Sequence, residues 1–371
     1  MEPPFRRSNR TFGPFGIFLT ADNKKEEIAC GFTVNHVYLH SYKPINSITM
    51  YSRRDFLKTA SMLTLGGIVG GSSSSYASSL QSAASASAAR PNKFLGLQIW
   101  SLGKELYEGN VAENIKRIKD MGYQHIELAG YKDGQIGSVP MMDFKKMCDD
   151  VDLKVTCSHC NPPVWEYTKD KVDQITEYWK KTFEDHMKMG MGLIVQPSMP
   201  KIKNTEDAKF VCEVFNKVGE LCQQAGMHRW GYHNHDGEFA KVVDGGEKAE
   251  FGLRAKGEKI IDLFLKHTDP KLVFIELDVY WTVMGQSDPA EYIRNHRNTH
   301  IRALHIKDDA VLGQSGLMNF EQIFKAANEE GENPVHTYYV EIEKFPKGYT
   351  QFQGAKECAD FLLQAPYVVK P

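Results

Sequence analysis

Four short stretches of the chain concentrate imidazole and carboxylate groups. They are Tyr232-His233-Asn234-His235-Asp236, Glu276-Leu277-Asp278, His305-Ile306-Lys307-Asp308 and Glu341-Ile342-Glu343. Successive stretches are separated by about one strand plus one helix, roughly thirty residues or more. Any one of them is explained equally well by a structural cap, but four in succession point to a shared site. Mixed nitrogen and carboxylate donors suit Mn²⁺, Co²⁺, Zn²⁺ or Fe²⁺ better than Ca²⁺, which prefers an all-oxygen shell. In extended chain, residues two apart share a face. Glu276 therefore accompanies Asp278, His305 accompanies Lys307, and Glu341 accompanies Glu343, one of each pair deep and the other nearer the rim. Asp278, His305 and Glu341 are the ligand candidates. Glu276, Lys307 and Glu343 would orient those ligands or touch substrate.

The elements that must position these groups alternate. Short apolar strands are expected at Phe94–Trp100, His125–Leu128, Lys154–His159, Gly192–Pro197, Arg229–His235, Leu272–Tyr280, Ile301–Lys307 and Thr337–Glu343. Helical spacing lies between them, as in Val111, Ile115 and Ile118, or in Ala208, Val211, Phe215, Val218 and Cys222. Eight strand–helix units over residues 92–371 match the count and size of an α/β (β/α)₈ TIM barrel. A doubly wound open sheet is the alternative, but no glycine-rich phosphate turn follows an early strand. In a barrel, strand C-termini and the loops after them carry the chemistry, which is where the four stretches fall.

Other groups are more ambiguous. Glu127 ends a strand and would bind a polar ligand or serve the structure. His159 lies within Cys157-Ser158-His159-Cys160. No second cysteine pair completes a zinc site, and residues three apart on a strand face opposite sides, so the thiols read as packing while His159 lines a pocket. Trp100, Tyr232, Tyr280 and Trp281 would stack on a ligand or pack in the core. The glycine- and charge-rich loop from Val242 to Gly257 reads as an insertion over the barrel mouth.

The first ninety residues read differently. Arg53-Arg54 precedes an apolar stretch from Thr59 to Gly71 and a Ser/Ala-rich run from Ser72 to Ala89. Paired arginines, apolar core and small-residue cleavage sites, in that order, match a bacterial twin-arginine export signal over residues 50–91. With Met50 as the start, residues 1–49 are a gene-model extension or disordered. The barrel would then be delivered to the periplasm, where phosphorylated metabolites are scarce. An uncleaved signal would be its only membrane tether. A net charge of −2 over 371 residues offers no basic field for nucleic acid. A homo-oligomer is compatible with this composition.

From about Phe94 to Leu363 the chain resembles the sugar phosphate isomerase/epimerase group of the xylose-isomerase-like superfamily. The resemblance rests on Gly122-Tyr123-x-x-Ile126-Glu127-Leu128, Tyr232-His233-Asn234-His235, Leu277-Asp278-x-x-Trp281, Leu304-His305-Ile306-Lys307-Asp308, Asn319-Phe320-x-x-Ile323-Phe324 and Val340-Glu341. It implies a divalent metal held by strand five (His233 or a neighbour), Asp278, His305 and Glu341. Strand five departs from the group by having His where Glu is usual, and Trp281 stands where His is often found. The implied activity is isomerisation, epimerisation or a related lyase reaction on a free sugar, keto-sugar or glycoside, begun by removing a proton next to a carbonyl. Glu341, Lys307 and His235 are the proton-transfer candidates; Glu127, His159, Trp281 and Glu343 are the substrate-binding ones. The alternatives are a non-catalytic sugar-binding barrel and a metal-assisted hydrolase of the same superfamily.

Overall fold

The structure is a computed structural model that describes residues 93–329 and 335–369. The export segment and the residues before it lie outside the described residues. Eight parallel strands form the centre: β1 Leu95–Gln98, β2 Tyr123–Leu128, β3 Lys154–Ser158, β4 Leu193–Gln196, β5 Arg229–His233, β6 Val273–Asp278, β7 Ile301–Ile306 and β8 Thr337–Val340. They pair in the order β3-β2-β1-β8-β7-β6-β5-β4. The two outer strands meet through a parallel bridge between His159 and Val195. There the Cys160 N–H donates to the Val195 carbonyl at 2.9 Å, closing the ring.

Helices α1 Val111–Asp120, α2 Met141–Asp150, α3 Val172–Lys188, α4 Thr205–Gln224 and α5 Ile260–His267 fill the first five crossovers. The sixth crossover holds two, α6 Val279–Met284 and α7 Pro289–His296, followed by α8 Phe320–Asn328 and α9 Gln351–Gln364. Side-chain caps start several of them: Asn110 for α1, Asn204 for α4, and Asp288 ahead of Pro289 for α7. The (β/α)₈ barrel expected from the chain's alternation is the fold observed.

Outward strand residues such as Leu97, Ile126, Leu277 and Leu304 pack under the helices, while Cys157, Val195, Phe274, Ala303 and Tyr339 form a small separate cluster inside the barrel. Gly231 makes room for that interior: a Cβ there would lie 2.5 Å from the Phe274 ring.

Four strands end at least two residues earlier than their polarity pattern suggested: β1 stops at Gln98, β5 at His233, β6 at Asp278 and β8 at Val340. Asp278 ends its strand because its carboxylate caps α6, accepting the Trp281 N–H at 2.8 Å. Tyr280, expected on a strand, is therefore helical. Register shifts on β2–β3 and β6–β7 leave Thr156 and Arg302 as extra residues. The second shift sets Asp278 beside His305.

Candidate metal centre

β5, β6, β7 and β8 deliver His233, Asp278, His305 and Glu341 to one point. Each offers one donor atom, and the four atoms lie within 4.8 Å of one another. His233 Nε2 is 3.9 Å from Asp278 Oδ2, and His305 Nδ1 is 3.2 Å from Glu341 Oε2. Asp278 Oδ2 is buried without a hydrogen-bond partner. A buried, unpaired acceptor is costly, and a cation would satisfy it. Two imidazoles and two carboxylates form a donor set suited to a first-row divalent metal. The four residues fit such an ion.

Beneath them lies a layer that is fully buried. Glu276 Oε2 sits 2.9 Å from His159 Nε2, 3.1 Å from His305 Nε2 and 3.4 Å from His233 Nδ1, the last without hydrogen-bonding alignment. Glu127 Oε2 lies 2.7 Å from His305 Nε2 and accepts from Gln98 Nε2 at 2.7 Å. Both carboxylates have no exposed surface. Lys307, 1% exposed, places Nζ 3.0 Å from Glu341, 2.7 Å from Glu343 and 3.9 Å from Asp278.

Burial and charge divide the protons unevenly. Burial alone would raise Glu276, but His305, His159 and His233 hold it well below the ordinary carboxylate range. Glu127 is raised by burial and by the Glu276 charge beside it. Of the two, Glu276 is the ionised partner, since it meets three imidazoles. Burial opposes charge on His305, yet Glu276 and Glu127 raise it well above an ordinary histidine. His233 is pushed well down by burial and by His305. Burial raises Asp278 to about 7 against the pull of Lys307. Glu341 stays ionised because His305 and Lys307 outweigh its burial.

A cavity of about 300 Å³ opens above this centre, and His159, His233, His235, Glu341 and Glu343 line it together with Trp100. His235 packs against His233 and Trp281. Two of the residues expected to touch substrate are not among those lining this cavity. Glu127 lies under His305 and His159, one layer below the cavity. Trp281 covers the Lys307 ammonium, 4.9 Å from its ring centroid, and is not among the lining residues. Lys307 is likewise held back from the wall by its carboxylate partners.

Tyr232 faces outward and its hydroxyl donates to Glu238, while Tyr280 donates to Asp309 at 3.0 Å. Neither is placed to stack on a ligand. Cys157 joins the barrel interior and Cys160 the outer core, both as free thiols. The loop from Val242 to Gly257 packs on the start of α4, where Asn204 Nδ2 donates to the Gly246 carbonyl at 3.1 Å and Gly245 N–H to Glu206 at 3.2 Å. None of its residues is among those lining this cavity.

Three supporting residues escaped the sequence reading. Gln98 fixes Glu127. Asn234 accepts the Asp278 N–H at 3.1 Å and ties the ends of β5 and β6 together. Glu238, buried, accepts the His235 N–H at 2.9 Å. Alternation from Gly96 would have pointed Gln98 inward. Glu238 sits in a turn after the strand and carried no signal.

The Xylose isomerase-like TIM barrel family matches residues 115–364. A sugar phosphate isomerase/epimerase from Parabacteroides distasonis ATCC 8503 is 48% identical, covering 75% of this chain and all of that one, with a TM-score of 0.69. A second from the same organism is 44% identical over 76% of this chain and 98% of that one, with a TM-score of 0.70. D-Psicose 3-epimerase from Clostridium cellulolyticum H10, solved with D-tagatose, shares the fold at 13% identity, covering 75% of this chain and 100% of that one, with a TM-score of 0.55. No curated protein matches. The chain belongs to the xylose isomerase-like TIM-barrel family, among its sugar phosphate isomerase/epimerase members.

Proposed function

We propose that this protein is a divalent-metal-dependent isomerase or epimerase, or a closely related lyase, acting on an uncharged sugar or keto-sugar. The observation that carries this reading is the convergence of His233, Asp278, His305 and Glu341 at the foot of the cavity, with Asp278 Oδ2 lacking a hydrogen-bond partner. A bound divalent cation supplies Lewis-acid polarisation of a carbonyl oxygen. The residues do the rest. Glu341 lines the cavity as an ionised carboxylate and takes the proton from the carbon next to that carbonyl. Lys307 holds Glu341 and Glu343 in place through two short ion pairs. The carboxyl that Glu341 becomes returns the proton, while His235, which burial and Lys307 keep neutral, lines the same cavity and hydrogen-bonds a substrate hydroxyl.

The lining supports an uncharged substrate. Among the described residues it contains Glu341 and Glu343 but no lysine or arginine. Lys307 is already matched by carboxylates, so a phosphate would meet negative charge without a free cation. Delivery outside the cytoplasm by the Arg53-Arg54 signal is part of the same proposal and agrees with an unphosphorylated substrate. Incubating the Mn²⁺-loaded protein with free sugars, keto-sugars, glycosides and their phosphates, followed by product analysis, tests the reading. Conversion confined to phosphorylated compounds would refute it.

A further inference from the structure

We infer that Trp100 is the stacking platform of the cavity and that the substrate occupies it as a closed pyranose ring; this rests on the sugar reading above and names the form. Of the five tryptophans, Trp179 and Trp230 are fully buried, and Trp281 packs on His235 and the Lys307 ammonium. Trp165 is exposed but is not among the residues lining this cavity. Trp100 lines the cavity while 62% exposed, and no ring or cation among the described residues stacks on it. A rigid indole open to water inside a site is apolar surface that a ligand can cover.

The backbone beneath this indole is held at two points. Trp100 belongs to the 3₁₀ segment Ile99–Tyr107, in which Ile99, Ser101 and Leu102 are buried around it. Its N–H donates to Gln98 Oε1 at 3.0 Å. The Ile342 N–H donates to Ser101 Oγ at 2.9 Å, which fixes the segment beside Glu341. The rest of the wall has two characters. Ala129 and Pro197 are apolar, whereas Asn161, Ser198, His235 and Glu343 offer hydrogen bonds. A pyranose ring matches both, with C–H faces for the indole and rim hydroxyls for the polar groups. An open-chain sugar carries hydroxyls on every side of a flexible backbone, and it loses more rotamer freedom on binding. With the ring closed, the carbonyl needed for proton abstraction is a ketone on a ring carbon.

The test titrates the protein, incubated with Mn²⁺, with the methyl pyranosides of glucose, galactose, mannose and xylose, and with the open-chain alditols glucitol and galactitol. Calorimetry gives the affinity, and tryptophan emission reports on the indole. At least one pyranoside should bind and shift the emission, with the alditols bound roughly tenfold more weakly. Trp100→Ala, at an exposed position, should lose roughly tenfold in pyranoside affinity together with the emission change. Trp100→Phe should recover most of that affinity. For any sugar that is converted, Trp100→Ala should raise KM by more than it lowers kcat. Absence of pyranoside binding, alditols bound as tightly as the best pyranoside, or wild-type affinity in Trp100→Ala would each overturn the proposal. Trp100-dependent pyranoside binding by a protein that converts no sugar removes the isomerase reading and leaves this inference standing. Conversion with KM unchanged in Trp100→Ala overturns this inference alone.

Discussion

His305 Nδ1 lies 3.2 Å from Glu341 Oε2, on the side of the ring opposite the buried carboxylates that hold Nε2. The imidazole is thus gripped from below and open only toward the cavity-lining carboxylate. In the metal-free protein a proton occupies that outward position, and a cation must displace it.

Metal uptake should therefore release protons and strengthen with pH. Asp278, raised to about 7, is largely protonated below that value. Titrations with Mn²⁺ between pH 5.5 and 8 should show apparent affinity falling as pH drops through about 7. Asp278→Ala and His305→Ala should each lower affinity by at least the roughly 10–100-fold cost of losing a supporting partner. A pH-independent affinity, or either variant binding like wild type, would contradict the assigned donors.

Lys307→Met removes the cation from three carboxylates while retaining bulk. Leaving buried charge uncompensated should destabilise the barrel by about 3–5 kcal/mol in denaturant unfolding. A loss below about 1 kcal/mol, the range of exposed pairs, would mean that Lys307 does not hold the cluster together.

Glu238 supplies a pH signature away from the four candidate metal donors. Burial raises its carboxyl from 4.5 to about 7, against the hydrogen bonds from Tyr232, its own backbone and His235. The unfolded chain ionises at the lower value and the fold at the higher one. This group's stabilisation is therefore present below about 4.5 and lost as pH rises to about 7. The full effect is on the order of 3 kcal/mol. Relative to Glu238→Gln, wild-type melting temperature should decline across that window. Parallel profiles would show that Glu238 is ionised in the fold.

Changing Arg53 and Arg54 to lysine should leave the precursor in the cytoplasm, as fractionation and immunoblotting would show. Undiminished export would remove the twin-arginine assignment.

The barrel and the clustering of imidazoles and carboxylates at the ends of β5 to β8 were legible in the sequence because both follow from local period. Alternation places His233, Asp278, His305 and Glu341 inward whatever the loops do. Depth was not legible. Glu127 and His159 both end strands and both face inward, yet one is sealed beneath the centre and the other reaches the cavity. The difference lies in strand stagger and in the extra residue Thr156 on β3, which no single-strand pattern reveals. Contacts made by loops, such as Glu238 to His235 or the Val242–Gly257 segment on α4, depend on tertiary packing. Sequence patterning carries no signal for them for that reason.

The central claim is that Glu341 and its metal-binding neighbours remove a proton beside a carbonyl. The most direct measurement is turnover of a responsive keto-sugar by the Mn²⁺-loaded protein in D₂O, with product deuterium read by mass spectrometry. The account predicts one deuterium at the carbon beside the carbonyl, no conversion after metal removal, and turnover reduced about 10²–10⁴-fold in Glu341→Gln. Product without deuterium, formed at an undiminished rate by Glu341→Gln, would contradict it.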